Sequence, residues 1–164
     1  MTTVLQAPAG GRTDDAVWRD LVTLLATVGR GLEARLQRDA GLSVPDYQIL
    51  CALCATPGGR MRPRELGLGL QWEKSRLSHQ LRRMESRGLV ERAVCDSDGR
   101  GALVAATAAG SAAHERARPG YEEELHARFG RHLHPEERET LSALAGRVLS
   151  TVDPEEVCDP GPGC

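Results

Sequence analysis

Residues 62–101 constrain the fold of this chain more than any other stretch. Pro63 suits the first turn of a helix, because the N–H that proline lacks would have no partner there. Leu66 and Leu70 follow at helical spacing, and the two glycines between them keep the helix short. The sequence therefore predicts a short helix that begins at Pro63 and ends in a tight turn.

A second helix is predicted over residues 73–87, directly after that turn. Its apolar residues recur four and three positions apart and form one buried stripe, made of Leu77, Leu81 and Met84. Gly88 follows the last periodic residue, where a glycine can end the helix in the left-handed conformation. The opposite face and its flanks carry hydroxyls and cations, namely Ser75, Arg76, Ser78, His79, Arg82, Arg83 and Ser86.

A β-hairpin is predicted after the second helix. Residues 89–95 have the pattern of a strand, residues 96–101 form a turn cluster, and residues 102–105 return as a second strand. Arg100 lies at the tip, with Asp98 two residues before it. An arginine at such a tip can enter the minor groove of DNA beside a helix in the major groove, while an aspartate orients it.

The second helix has the chemistry that a major groove requires. Arginine bridges O6 and N7 of guanine, and serine, histidine and glutamine reach base edges or phosphates. The predicted DNA contacts are Ser75, Arg76, Ser78, His79, Gln80, Arg82 and Arg83 on the helix, with Asp98 and Arg100 on the hairpin. Two alternatives are a solvated amphipathic helix and a protein-interaction module whose basic helix docks an acidic partner. A steep loss of duplex binding with rising salt would distinguish DNA binding from protein docking.

Three motifs in this segment resemble the MarR family of bacterial transcription regulators: WEKSRLS at 72–78, GLVER at 88–92 and DGRG at 98–101. The resemblance extends over residues 15–152. It implies a winged helix-turn-helix, an obligate homodimer and, usually, repression that a small molecule or thiol oxidation relieves. A two-fold dimer places its recognition helices ~34–36 Å apart, so the operator should be a near-palindrome of double-stranded DNA. Gln71 departs from the pattern, since the family often has glycine in this turn.

The charge distribution favours a nucleic-acid partner, although the net charge of −2 does not. Residues 60–100 contain ten basic and six acidic side chains and carry +4, which leaves −6 on the rest of the chain. Segregation of this kind is typical of DNA-binding domains. The acidic remainder is expected to face away from DNA.

The predicted fold class is mostly α with a small β-hairpin wing, a winged helix-turn-helix joined to a helical dimerisation region. Ser43 is the predicted N-cap of an earlier helix, which contains Tyr47 and Leu50, and Pro119 is expected to kink the long fifth helix of the chain. The chain divides into a flexible arm (1–13), one MarR-like unit (14–152) and a disordered tail (153–164). Within that unit, the dimerisation helices are 14–40 and 107–152, and the winged helix-turn-helix is 43–106. A lone chain would expose the apolar stripes of the first, fifth and sixth helices.

The five cysteines are an odd number, which argues against a disulfide framework. Cys51 and Cys54 have Cys-x-x-Cys spacing but lie in an apolar helix without a second ligand pair, so we interpret them as buried structural thiols. Cys95, at the base of the wing, is the candidate redox switch if it is exposed and has a lowered pKa.

The resemblance implies a small-molecule effector, with a candidate lining of Trp18, Leu21, Tyr47, Leu50, Cys51 and Cys54. Ordinary core packing is the alternative for each of these six residues.

Several function classes are excluded by what the sequence lacks. It contains no nucleophile elbow, P-loop or dinucleotide-binding motif, so we expect no enzyme and no cofactor. His132 and His134 are two residues apart near a helix break, which is poor geometry for one metal ion, and no metal site is predicted. No apolar run of eighteen residues is present, and residues 1–12 lack the apolar core of a signal peptide. We therefore expect a cytoplasmic protein without a membrane partner.

Overall fold

The computed structural model describes residues 11–94 and 102–151, and most of these are helical. The helices are α1 (Asp14–Ala40), α2 (Val44–Ala55), α3 (Pro63–Leu70), α4 (Lys74–Ser86), α5 (Ala108–Arg128) and α6 (Pro135–Leu149), with a short 3-10 helix at Gly130–His132. The strands are β1 (Arg60–Met61), β2 (Val90–Val94) and β3 (Ala102–Ala106). The predicted fold class, mostly α with a small β-hairpin, is confirmed. The predicted tail (153–164) and all but the last three residues of the predicted arm lie outside the described residues.

Hydroxyl side chains begin three of the helices. Thr13, Ser43 and Thr107 each accept a hydrogen bond from the backbone N–H three residues ahead, at 3.3, 3.2 and 3.0 Å. Each bond satisfies an N–H that lacks a partner within its helix. At Ser43 the bond is reciprocal, because the Asp46 carboxylate accepts from the Ser43 N–H at 2.9 Å. The predicted helix start at Ser43 is therefore confirmed.

The sheet is antiparallel, with strand order β1-β3-β2. Its β2–β3 hairpin was expected from the sequence, whereas β1 was not. Gly58 and Gly59, at φ 82° and 67°, reverse the chain so that β1 can pair with β3. A two-residue strand is too short to show an alternating pattern, which explains why the sequence did not reveal it.

The core lies where α2, α3 and α4 meet the sheet and the first half of α5. Its fully buried side chains are aliphatic apart from the carboxylate of Asp46, and comprise Leu36, Leu42, Asp46, Ile49, Leu50, Leu53, Leu66, Met84 and Val104. This core holds the two helices of the helix-turn-helix against the strands. It therefore fixes which face of α4 points outward.

The long helices α1 and α5 pack antiparallel. Arg35 of α1 donates to Glu123 of α5 at 3.0 Å, and Gly31 lies against the side chain of Arg128. α5 continues through Pro119 as one helix, so the chain accommodates this proline without ending the helix there. Among the described residues, no helix has both the length and the apolar character needed to cross a bilayer.

Candidate nucleic-acid interface

Helix α4 is anchored by the apolar stripe that its sequence predicts. Leu77, Leu81 and Met84 are at most 3% exposed and pack into the core. Because they occupy one side of the helix, the residues opposite them must face outward. The orientation of α4 thus follows from the burial of three side chains.

The outward face of α4 is cationic and polar. Its exposed members are Ser75, Arg76, His79, Arg82 and Arg83, and Ser78 is partly exposed. The first turn contains no acidic residue, so its backbone N–H groups and the positive end of the helix dipole are available to an anion. The structure therefore brings six of the predicted contact residues onto one surface, which we call the α4 face.

Gln80 does not belong to the α4 face, which corrects the sequence-based assignment. It is only 9% exposed, and its Nε2 donates to Asp46 Oδ1 at 2.6 Å. Gln80 lies beside Leu81, at the boundary between the two sides of the helix. Helical spacing already places Gln80 at the edge of the buried stripe, three residues after Leu77 and four before Met84, and the buried carboxylate of Asp46 holds its side chain inward.

Arg76 is held in place by Trp72, a residue that the site prediction did not include. The guanidinium carbon lies 4.2 Å from the centre of the indole ring, and Trp72 is 5% exposed. A cation over an aromatic face is attracted by the electrons of the ring. Their four-residue separation was visible in the sequence, but the helix begins only at Lys74, so spacing alone did not predict the contact.

The arginines of the α4 face keep their charge for an external partner. Within the described residues, no carboxylate forms an ion pair with Arg76, Arg82 or Arg83. Arg92 of β2, by contrast, donates to Glu85 at 2.8 Å and so ties the sheet to α4. Three guanidinium groups without a carboxylate partner in the described ranges therefore lie together on the face that points to solvent.

The base of the wing is fixed to the end of α4. Thr107 Oγ1 donates to the Gly88 carbonyl at 2.6 Å, and Gly88 adopts the predicted left-handed conformation at φ 68°. The predicted wing residues Asp98 and Arg100, and the candidate redox residue Cys95, lie outside the described residues.

A buried carboxylate lies behind α4. Asp46 is fully buried and accepts hydrogen bonds from the Ser43 N–H, from Gln80 and from Arg87 Nη1, the last at 2.6 Å. Burial favours a raised pKa for Asp46, but the hydrogen bonds from Ser43 and Arg87 outweigh it and lower the pKa below its usual value. The sequence does not reveal this cluster, because Asp46 is 34 residues from Gln80 and 41 from Arg87.

Comparisons with known proteins identify this arrangement. A model of the MarR family matches residues 40–101. One similar structure is that of Sco3205, a MarR family transcriptional regulator from Streptomyces coelicolor, in complex with DNA. The two sequences are 30% identical, and the match covers 94% of this chain and 97% of Sco3205, with a TM-score of 0.81. The chain belongs to the MarR family.

Other MarR-family structures are similar. AbsC, a MarR family transcriptional regulator from Streptomyces coelicolor, is 32% identical over 87% of this chain and 97% of its own, with a TM-score of 0.78. A cysteine-to-serine mutant of MarR from E. coli, complexed with operator DNA, is 28% identical over 81% of this chain and 93% of its own, with a TM-score of 0.71. Comparison with curated protein sequences finds no match. The chain is a DNA-binding, winged-helix transcription regulator, which confirms the predicted function class and the prediction that it is not an enzyme.

The six residues predicted to line an effector pocket do not come together within one chain. Tyr47 packs on Tyr121, close to where Arg35 meets Glu123. Trp18 precedes Arg35 by seventeen residues on the same helix, which places it about 25 Å away along the axis. Trp18 is 64% exposed, whereas Leu50 is part of the core. The predicted lining of Trp18 and Leu21 with Tyr47, Leu50, Cys51 and Cys54 is therefore wrong for a single subunit.

The two cysteines of α2 occupy different environments. Cys51 is half-buried, with its sulfur 3.3 Å from Nε2 of His114, whose ring stacks on Tyr47 at 5.3 Å. Burial raises the pKa of the Cys51 thiol and lowers the pKa of His114, so both groups are neutral at pH 7. Cys54 is an exposed free thiol, which corrects the expectation that both are buried. No group of three metal-binding side chains occurs in the part of the chain that the structure describes.

Proposed function

We propose that this protein is a homodimeric repressor that inserts α4 into the major groove of a near-palindromic operator. The observation that carries the proposal is the α4 face, whose arginines have no carboxylate partner within residues 11–94 and 102–151, on a helix whose opposite side is buried. Arg76, Arg82 and Arg83 are the proposed contacts to guanines and phosphates, and Ser75, Ser78 and His79 the contacts to base edges and backbone. Arg100, oriented by Asp98, is the proposed minor-groove contact.

Exposed apolar surface supports the homodimer. On α1, Val17, Trp18, Val22 and Leu25 are 43–68% exposed, and α6 buries none of its residues, with Leu144, Val148 and Leu149 at 40–55%. Covering this much exposed apolar surface with a second copy lowers the free energy of the protein in water. Two copies that meet through α1 and α6 would present two α4 faces ~34–36 Å apart, on successive major grooves of one side of the duplex.

DNA binding through the α4 face is tested by salt-dependent affinity for duplexes from the promoter of this protein's own gene. Arg82→Ala should weaken binding by about 1–3 kcal/mol and reduce the dependence on salt, because a groove contact is lost. Arg116→Ala is the matched control, since Arg116 is an exposed arginine on α5, away from α4. Equal affinities for the Arg82→Ala variant and the wild type would refute the proposal. Binding that barely responds to salt would instead favour docking to an acidic protein.

The proposed contact between the wing and the minor groove is tested with a separate variant. Arg100→Ala should cost on the order of 1–3 kcal/mol of operator affinity, as expected for a lost groove contact. An unchanged affinity would show that the wing does not reach DNA.

Repression itself is tested with a reporter gene placed behind the bound promoter, whose expression should rise when the regulator is deleted. Because bacterial chromosomal DNA lies in the cytoplasm, the proposal places the protein there.

We propose that a small molecule or thiol oxidation releases the operator. The exposed thiol of Cys54 supports the oxidative route, whereas the neutral, half-buried thiol of Cys51 is a poor nucleophile. Operator affinity before and after peroxide, measured for Cys54→Ser and Cys95→Ser variants, identifies the responsible residue. A variant that loses affinity on oxidation as fully as the wild type excludes its cysteine as the sensor. A response that requires neither cysteine would point to one of the other three cysteines, whereas no response to peroxide would favour the small-molecule route.

A further inference from the structure

We propose that Asp46 is a positioning residue, which sets the orientation of α4 relative to α1 and thereby the spacing of operator half-sites that the dimer accepts. The inference rests on the proposed function, since it assumes that α1 helps to join two copies. Asp46 lies too deep to touch DNA. Its effect on DNA binding must therefore pass through the helix that does.

Asp46 holds α4 at two separate points. Its Oδ1 accepts from Gln80 in the middle of the helix, and its Oδ2 accepts from Arg87 just past the C-terminal end, each at 2.6 Å. Gln80 and Arg87 are seven residues apart, about two helical turns or 10 Å. One contact would allow the helix to pivot, but two contacts this far apart fix the direction of its axis.

The same cluster is tied to the end of α1. Arg87 uses its second amino group, Nη2, to donate to the carbonyl of Gly41 at 2.5 Å. Glu33 of α1 accepts from the backbone N–H of Val44 at 2.7 Å, next to the Ser43 cap that Asp46 completes. A short path of polar contacts therefore runs from α1, through the start of α2 and the Asp46 carboxylate, to α4.

Polar contacts of this kind specify geometry in a way that the surrounding core does not. The other contacts behind α4 come from Leu77, Leu81 and Met84, and apolar packing tolerates small rotations because it has little directional preference. Hydrogen bonds to a buried carboxylate weaken sharply when their angles change, and a buried ion pair that loses its alignment leaves charges unsatisfied. Asp46 thus resists a rotation of α4 that the aliphatic core would permit.

Half-site spacing is the property that depends on this rigidity. One extra base pair between half-sites moves the second half-site by about 3.4 Å and rotates it by about 35°. A dimer with a fixed α4 should bind such an operator poorly. A dimer whose α4 can pivot should adapt to it, at the cost of weaker binding to the operator of natural length.

The test compares wild type with Asp46→Asn, which keeps the shape of the side chain and removes its charge. Affinity is measured for the natural operator, for the same operator with one base pair inserted between the half-sites, and for a non-specific duplex. The variant should bind the natural operator roughly tenfold more weakly and the non-specific duplex almost equally well. The penalty for the inserted base pair should be at least several-fold smaller than in wild type. Global destabilisation alone would not change that penalty.

Two further variants make the result decisive. Leu53→Ala creates a cavity in the same core without touching the polar cluster, so it should lower the melting temperature and leave the insertion penalty unchanged. Gln80→Met removes one of the two attachments and should give an intermediate penalty, a readout that remains if Asp46→Asn does not fold. A wild-type penalty in both Asp46→Asn and Gln80→Met, or an equal reduction in Leu53→Ala, overturns the positioning role. If the wild type itself shows no preference for an operator over other duplexes, the proposed function fails first and the positioning role with it.

Discussion

Replacing Gln71 by glycine should stabilise the protein. Gln71 adopts a left-handed conformation, φ 56° and ψ 43°, in the turn between α3 and α4. For a residue with a Cβ this conformation costs roughly 1–2 kcal/mol, whereas the greater freedom of glycine in the unfolded chain offsets about 0.5–1 kcal/mol of the gain. The exposed Gln71 side chain reaches the Leu68 carbonyl only at 3.5 Å and adds little. The expected net gain is about 0.5–1 kcal/mol.

Thermal unfolding followed by circular dichroism measures this gain. At this chain length, 0.5–1 kcal/mol corresponds to a rise in melting temperature of about 1–4 °C. Protein concentration must be held constant, because the melting temperature of a dimer depends on it. Gly88→Gln is the matched reverse change: Gly88 has φ 68°, and a Cβ there would meet no atom within 4 Å, so only the backbone conformation is tested. A lower melting temperature for Gln71→Gly, or no loss for Gly88→Gln, would refute the reasoning.

Three other predictions follow from individual contacts. Gly110→Ala should destabilise the fold by about 1–3 kcal/mol or more, measured by urea unfolding, because its Cβ would lie 2.0 Å from the backbone oxygen of Leu89. Trp72→Leu should weaken operator binding by about 0.5–1 kcal/mol in a fluorescence titration, since Arg76 loses its aromatic support; unchanged affinity would contradict this role. Folding lowers the pKa of Asp46, so its ionised form stabilises the protein at pH values above the ordinary pKa of 3.8. This contribution is lost as the pH falls below 3.8 and through the lower pKa of the folded state. The difference in urea midpoint between wild type and Asp46→Asn should therefore shrink between about pH 6 and pH 3, and a constant difference would contradict the pKa shift.

The parts of the fold that were predictable from sequence depend on neighbours along the chain. The stripe of α4, the Ser43 cap and the hairpin each follow from residues a few positions apart, for which spacing is sufficient information. Gln80 was misplaced although its spacing from Leu77 and Met84 puts it at the edge of the buried stripe; only its partner Asp46, 34 positions away, could not be read from spacing. Trp18 was misplaced because it was grouped with effector residues by family resemblance, without allowance for the length of α1.

A charge count from the sequence does not show which groups the carboxylates near α4 bind. Glu65 accepts from the backbone N–H of Arg62 at 3.1 Å, Glu85 pairs with Arg92, and Asp46 pairs with Arg87 behind the helix. Glu65 is thus held by a backbone N–H, and the other two carboxylates pair with arginines that lie outside the α4 face. Arg76, Arg82 and Arg83 of the α4 face have no carboxylate partner among the described residues, so their charges remain available to an external anion. An acidic protein can therefore bind a polyanion, because the relevant quantity is the charge left unpaired on one surface rather than the sum over the chain.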